Sequence, residues 1–139
     1  MNHDLQNTVA ERTEKLQTAN ARLNIMARQD ALTKLDNRRV FTEVMNELWQ
    51  DCQTNLLSMS MMIIDVDHFK RINDTYGHPV GDDVLMKSAE ELNQFKAPEI
   101  KCIARIGGEE FCLLLKGMNH QDAIKLAEEI RLHLENTKF

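Results

Sequence analysis

The chain has 139 residues, of which 42% are hydrophobic and 28% charged, and its formal net charge is −5. That length and balance suit one globular domain of ordinary size. The acidic balance argues against a protein whose main task is to grip a nucleic acid backbone, and no run of 18 apolar residues is present to cross a bilayer.

Residues 1–28 contain neither Gly nor Pro. Val9, Leu16 and Leu23 recur at one heptad position, and Leu5, Ala19 and Met26 at the other, which Arg12 interrupts. This spacing predicts a helix that pairs as a parallel dimeric coiled coil; the alternative is a single amphipathic helix lying on its own domain. The polar start is not read as a signal peptide. Asp36-Asn37 then offers a turn and a helix N-cap. A helix is predicted over 38–52, with Val40, Phe41, Val44, Met45, Leu48 and Trp49 at helical spacing. The apolar run Met59 to Val66 predicts a buried strand in a sheet covered on at least one face.

Residues 67–83 are polar and turn-rich, with a short helix predicted near 69–73, and a longer helix is predicted over 82–95. The apolar runs 100–106 and 111–116, separated by Gly107-Gly108-Glu109-Glu110, predict a β-hairpin. A last amphipathic helix is predicted over 121–136. The pattern is α/β, an α+β sandwich in which loops at strand ends carry the polar residues. Cys52, Cys102 and Cys112 are odd in number and form no CxxC pair, which predicts reduced, mostly buried thiols in a cytosolic protein. Trp49 and the Met residues are expected in the core. His3, His120 and His133 are expected on the surface without a role.

Two fragments carry chemistry. Two Gly in the 105–111 turn let backbone approach a ligand closely, and Glu109 and Glu110 project from the same turn. Such a turn alone is more often a solvated loop. Asp65 ends a buried apolar strand, where a carboxylate is costly unless it is paired or binds a cation. The spacing is not an EF-hand, because Phe69 stands at the third oxygen-ligand position. Asp65, Glu109 and Glu110 together are hard oxygen ligands that suit Mg²⁺ on a triphosphate. The run Asp67 to Lys70 enters a helical turn whose N–H groups can cradle phosphate. Asn73 and Asp82 can read a base: a carboxylate accepts from guanine N1–H and N2–H, a donor edge adenine lacks.

The segment 30–39 (DALTKLDNRR), the DxDxFKxINDxxGHxxGD stretch at 65–82 and RIGGEEF at 105–111 resemble the GGDEF family of diguanylate cyclases. The resemblance covers 30 to about 134 and rests on three long, ordered motifs. It implies a nucleotidyl-cyclase-like palm fold, with a central, mostly antiparallel sheet flanked by helices and preceded by a long helix. It divides the chain into a signalling helix or coiled coil, 1–28, and a catalytic domain, 29–139.

The resemblance also implies roles. Asp65, the Val66 carbonyl and Glu109 would bind Mg²⁺, with Mn²⁺ as an alternative. Glu109 would help deprotonate the attacking ribose 3′-hydroxyl and Glu110 would support the metal site. Asn73 and Asp82 would recognise guanine with His78 close to the nucleoside, and Phe69 and Lys70 would lie at the phosphates. Arg105 would brace the hairpin. Asp30, Asp36, Asn37 and Arg38 would couple the incoming helix to the domain and shape the nucleotide pocket. The implied activity is condensation of two GTP into cyclic di-GMP and two pyrophosphates at the interface of two such domains. The implied partners are GTP and a second copy, with no nucleic acid and no direct membrane contact. The implied location is the cytoplasm, free or as the cytoplasmic part of a larger membrane-bound sensor.

Two departures stand out. The family's RxxD product-binding site would fall on Pro98, Glu99, Ile100 and Lys101, so no product inhibition is expected there. The family's domain also continues past the helix at 121–136 with a strand and a last helix. The domain is therefore expected to be incomplete at its C-terminus, with an open edge on the 59–66 strand. That leaves two alternatives to a cyclase: a GTP-binding regulatory domain without turnover, or a coiled-coil dimerisation module.

Overall fold

The computed structural model describes residues 2–139, with side-chain surroundings except at positions 2–4, 25 and 26. Eight elements follow in order: α1 (Asn2–Arg28), α2 (Arg38–Asn55), β1 (Met59–Asp65), α3 (Phe69–Tyr76), α4 (His78–Leu92), β2 (Ile100–Arg105), β3 (Glu110–Lys116) and α5 (His120–Glu135). The three strands form one antiparallel sheet in the order β1-β3-β2, so the hairpin strand β3 is central. Helices cover both faces of it, which is the expected α+β sandwich.

The sequence of β3 explains its place. Phe111 to Leu115 are all fully buried. Such an unbroken apolar run is what a strand with helices on both faces requires. Its side chains alternate: Phe111, Leu113 and Leu115 meet Met62, Leu85, Ala89, Leu92 and Ile130, while Leu114 meets Leu48, Cys102 and Ala104. Burying each such Leu contributes about 1.5–3 kcal/mol.

The run in β1 is similar, but its setting differs from the expectation of a buried strand. Among the described residues β1 is an edge strand, and its Met61 and Ile63 are 49% and 60% exposed. They point to the α2 side of the sheet, beyond the reach of α2.

On α2, Asn37 is the predicted N-cap, its Oδ1 accepting from the Val40 N–H at 3.1 Å. Val40, Leu48 and Cys52 form the inner stripe. Trp49 lies one step around the helix from Leu48 and is 62% exposed, which overturns its expected place in the core. Met62 is buried, whereas Met61 and Met86 are exposed. The three cysteines are free and buried, as expected. Burial raises the Cys112 thiol to about 11; burial, then the charge of Asp36 and its hydrogen bond, raise Cys102 to about 12.

Helix α4 begins four residues earlier than expected. Pro79 sits in its first turn, where a missing N–H costs nothing, so the His-Pro-Val-Gly stretch 78–81 that reads as a loop is helical. The histidine expected to be idle, His133, ties α5 to α4. Its Nε2 lies 2.6 Å from the buried Glu91 carboxylate, and its ring meets Phe95 edge-on at 5.3 Å. Glu91 also pairs with Lys87 at 3.1 Å.

The described side chains of α1 are all exposed, Leu5, Val9, Leu16 and Leu23 by 57–67%. The helix therefore does not lie on its own domain. Met26, the last residue of the predicted seam, lies outside the described side chains. The end of α1 is pinned: the Asn37 N–H donates to the Arg28 carbonyl at 2.9 Å, and Arg28 pairs with Glu43 at 3.1 Å. Residue 36 then runs beside β2, its N–H donating to Ile103 and its carbonyl accepting from the Arg105 N–H.

Candidate active site

Two backbone facts build the site. The β1–β3 register sets Asp65 directly opposite Glu110. One residue further, the Val66 N–H donates to the Glu109 carbonyl at 3.2 Å. The end of β1 and the tip of the β2–β3 hairpin are thus locked side by side. The tip is closed by the N–H groups of Ile106 and Gly107, which donate to the Glu110 carbonyl at 3.0 and 3.4 Å. Glu109 is half-buried; Asp65 and Glu110 are exposed. Nothing lies within 4 Å of a side chain built on Gly108, so that backbone is open to a ligand.

The three carboxylates do not form a ready-made cluster. Among the described residues no group of three His, Cys, Asp or Glu side chains is arranged to hold a metal ion. Like charges at neighbouring positions repel, so the expectation of three converged ligands gives way to adjacent backbone positions with separated side chains. A smaller set still fits Mg²⁺, which takes one or two carboxylates and fills its remaining positions with water and substrate phosphate. Asp65, Val66 and Glu109 are the candidates for it, being neighbours through the backbone at the end of β1 and the hairpin tip.

Arg105 holds the hairpin from behind. Its Nε donates to the carbonyls of Gly107 and Gly108 at 3.2 and 3.1 Å, and its Nη2 to Gly108 at 2.8 Å. Its Nη1 pairs with Asp30 at 3.1 Å. Burial would raise the Asp30 carboxyl, but the Thr33 N–H and hydroxyl and then Arg105 outweigh it and hold the group below its ordinary range. The resemblance gave Arg105 and Asp30 separate tasks; the fold joins them in one half-buried pair.

After β1 the chain reverses at His68, whose φ of 56° is left-handed, and α3 starts at Phe69 with no side-chain cap. The first-turn N–H groups of α3 are therefore free of intrahelical partners. Lys70 is exposed there, while the Phe69 ring turns inward against the core. Asn73, on the next turn, has a buried Oδ1 without a hydrogen-bond partner. A side chain built on Gly81 of α4 would stand 1.8 Å from that oxygen and 3.3 Å from the Phe69 ring. Gly81 makes room for Asn73, a role the residue spacing did not show. The sequence carried no signal for it, because Gly81 stands in a stretch that reads as a loop. His78 and Asp82 are exposed in the first turns of α4. Phe69, Lys70, Asn73, His78 and Asp82 thus all belong to the α3–α4 pair that directly follows β1. A cavity of about 260 Å³ lies elsewhere, and none of these residues lines it.

The fold is shared with solved α+β domains of cyclic dinucleotide signalling. The coiled coil and GGDEF domain of DgcB from Caulobacter crescentus, solved in complex with c-di-GMP, superposes with a TM-score of 0.83 at 29% identity, covering 91% of this chain and 65% of that one. The chain belongs to the GGDEF family, whose model, described as diguanylate cyclase, GGDEF domain, matches residues 27–139. It is 38% identical over 115 residues to the response regulator PleD of Caulobacter vibrioides, covering 82% of this chain and 25% of PleD. It is 36% identical over 116 residues to the cyclic di-GMP phosphodiesterase NbdA of Pseudomonas aeruginosa, covering 84% of this chain and 15% of NbdA. The chain spans a quarter or less of the length of these two relatives. No described helix is long and apolar enough to cross a membrane.

Proposed function

We propose that this protein is a diguanylate cyclase of the cytoplasm that joins two GTP into cyclic di-GMP. The observation that carries the reading is the β1–β3 register, which sets Asp65 beside the Glu109-Glu110 tip. Asn73 and Asp82 hold the guanine: the carboxylate accepts from N1–H and N2–H, and the unpartnered Asn73 oxygen accepts a further donor on the same base. His78 lies at the nucleoside. Lys70 and the first-turn N–H groups of α3, beginning at Phe69, meet the phosphates. Glu109 takes the proton from the ribose 3′-hydroxyl, with Glu110 supporting. That oxygen attacks the α-phosphorus of the GTP held by a second copy, and pyrophosphate leaves; a second transfer in the opposite sense closes the ring. Mg²⁺ or Mn²⁺ held by Asp65, Glu109 and the Val66 carbonyl would supply charge neutralisation on the phosphates.

One half-site lacks its partner's hydroxyl, so two copies must face each other. A coiled coil through residues 1–28, ahead of the domain at 29–139, raises the effective concentration of one half-site near the other. The exposed seam of α1 supports that pairing. With Pro98 and Lys101 in place of the Arg and Asp of the family's RxxD site, product does not inhibit there.

The test is incubation of the protein with GTP and Mg²⁺. Cyclic di-GMP and pyrophosphate form, and Asp65→Asn or Glu109→Gln lowers the rate by roughly 100-fold or more. GTP binding without turnover would select a regulatory GGDEF domain instead, a reading favoured by the family's presence in a relative named as a phosphodiesterase.

A further inference from the structure

We propose that Glu91 and His133 form an acid-released latch that holds α5 on α4. The pair stands about 14 Å along α4 from Asp82 at the usual helical rise, and it acts whether or not the domain turns over GTP.

The apolar grip between the two helices is lopsided. Leu85, Ala89 and Leu92 are among the buried residues of α4, whereas α5 buries only Ala123 and Ile130. Ile124 and Leu132 of α5 are 55% and 44% exposed. So small an apolar contact leaves much of the docking to polar groups. Those groups meet at Glu91, a carboxylate only 8% exposed. His133 Nε2 lies 2.6 Å from one of its oxygens, and Lys87 Nζ 3.1 Å from the other. The Phe95 ring meets the imidazole edge-on and steadies its orientation. Of these groups only His133 belongs to α5, so the polar tie between the helices runs through it.

An anionic Glu91 accepts from two donors, one on each oxygen. A protonated Glu91 accepts from at most one, through its remaining carbonyl oxygen. At the acid pH where a carboxyl takes up its proton an imidazole already carries its own, so Lys87 and His133 are then two cations around a neutral group. The other charged groups nearby are exposed: Glu90, 3.8 Å from Lys87 on α4, Glu129 one turn before His133 on α5, and Lys96 and Lys138 after the two helices. Strand β1, which also packs on α5, carries one carboxylate, Asp65, at its end. The hydrogen bonds from His133 and then Lys87 hold the Glu91 carboxyl below its ordinary range, against the burial that would raise it. The latch is therefore closed above the ordinary glutamate range and opens as pH falls through the lowered native value. Leu85, one turn along from Gly81, shares its core with Ile130 of α5, so undocking reaches the helix that carries Asp82.

Amide hydrogen exchange followed by NMR tests the latch, with protection factors that remove the intrinsic pH dependence of exchange and with central β3 as internal reference. Between about pH 6 and about pH 3, protection of α5 is expected to fall about fivefold or more beyond that of β3. Glu91→Gln is expected to lower α5 protection at the higher pH and to abolish the extra fall. His133→Ala removes the α5 partner at a side chain 40% exposed, so it stands in if Glu91→Gln does not fold, and it is expected to diminish the extra fall in the same way. Parallel loss of α5 and β3 protection, or an undiminished extra fall in either variant, would overturn the latch.

Discussion

Asn73 and Gly81 form a matched pair. The Asn73 oxygen is buried and has no partner, and a buried acceptor without a donor costs free energy that a ligand can recover. Its position depends on the missing side chain at 81, since a methyl there would fall 1.8 Å from it. Gly81→Ala should therefore displace the amide and lower GTP affinity by about tenfold or more, with helix content unchanged. Nucleotide titration checks this. If displacement of Asn73 is the cause, Gly81→Ala added to Asn73→Ala costs little more than Asn73→Ala alone; full additivity would refute that cause.

At the scale of elements, the hairpin and the segment after α1 share one joint, the Arg105–Asp30 pair. Five hydrogen-bonding contacts of one guanidinium, to Gly107, Gly108 and Asp30, hold the turn that carries Glu109. Hydrogen bonds to charged groups contribute about 1.5–3 kcal/mol, so Asp30→Asn should destabilise the fold by an amount in that range at neutral pH. The Asp30 carboxyl is held low in the folded state. Its contribution is therefore present above the ordinary aspartate range and is lost as pH falls through the lowered native value. Urea unfolding of wild type and Asp30→Asn should differ clearly at pH 7 and converge in acid. A constant difference across that range would show that the charge of Asp30 is not what matters.

At the scale of the molecule, the exposed seam of α1 has no partner within the chain's own domain, and Leu16 alone is 64% exposed on it. Burial against a second copy relieves that exposure. Leu16→Asp should shift the protein from dimer to monomer in light scattering and lower cyclase output in parallel, because the half-sites then meet only by diffusion. A monomeric wild type would remove the basis of this coupling.

Local pattern made much of this legible. The Asn37 cap, the β2–β3 hairpin and the course of α5 follow from periodicity, turn chemistry and short-range spacing, which act within a few residues, although Ile124, at an inward position of the α5 periodicity, is 55% exposed. What needed the folded chain were contacts between distant positions. Whether an apolar run such as 59–65 becomes a central or an edge strand depends on which strands pair, and the run itself is the same in either case. Trp49 reads as core by residue type and spacing yet faces outward, because Val40, Leu48 and Cys52 take the inner stripe of α2 and Trp49 lies one step around the helix from it. Pro79 and Gly81 read as a loop, yet a first helical turn accepts the one and the Asn73 side chain needs the other. The Asp30–Arg105 pair spans 75 positions, and only packing of the segment after α1 against β2 brings those two charges within reach.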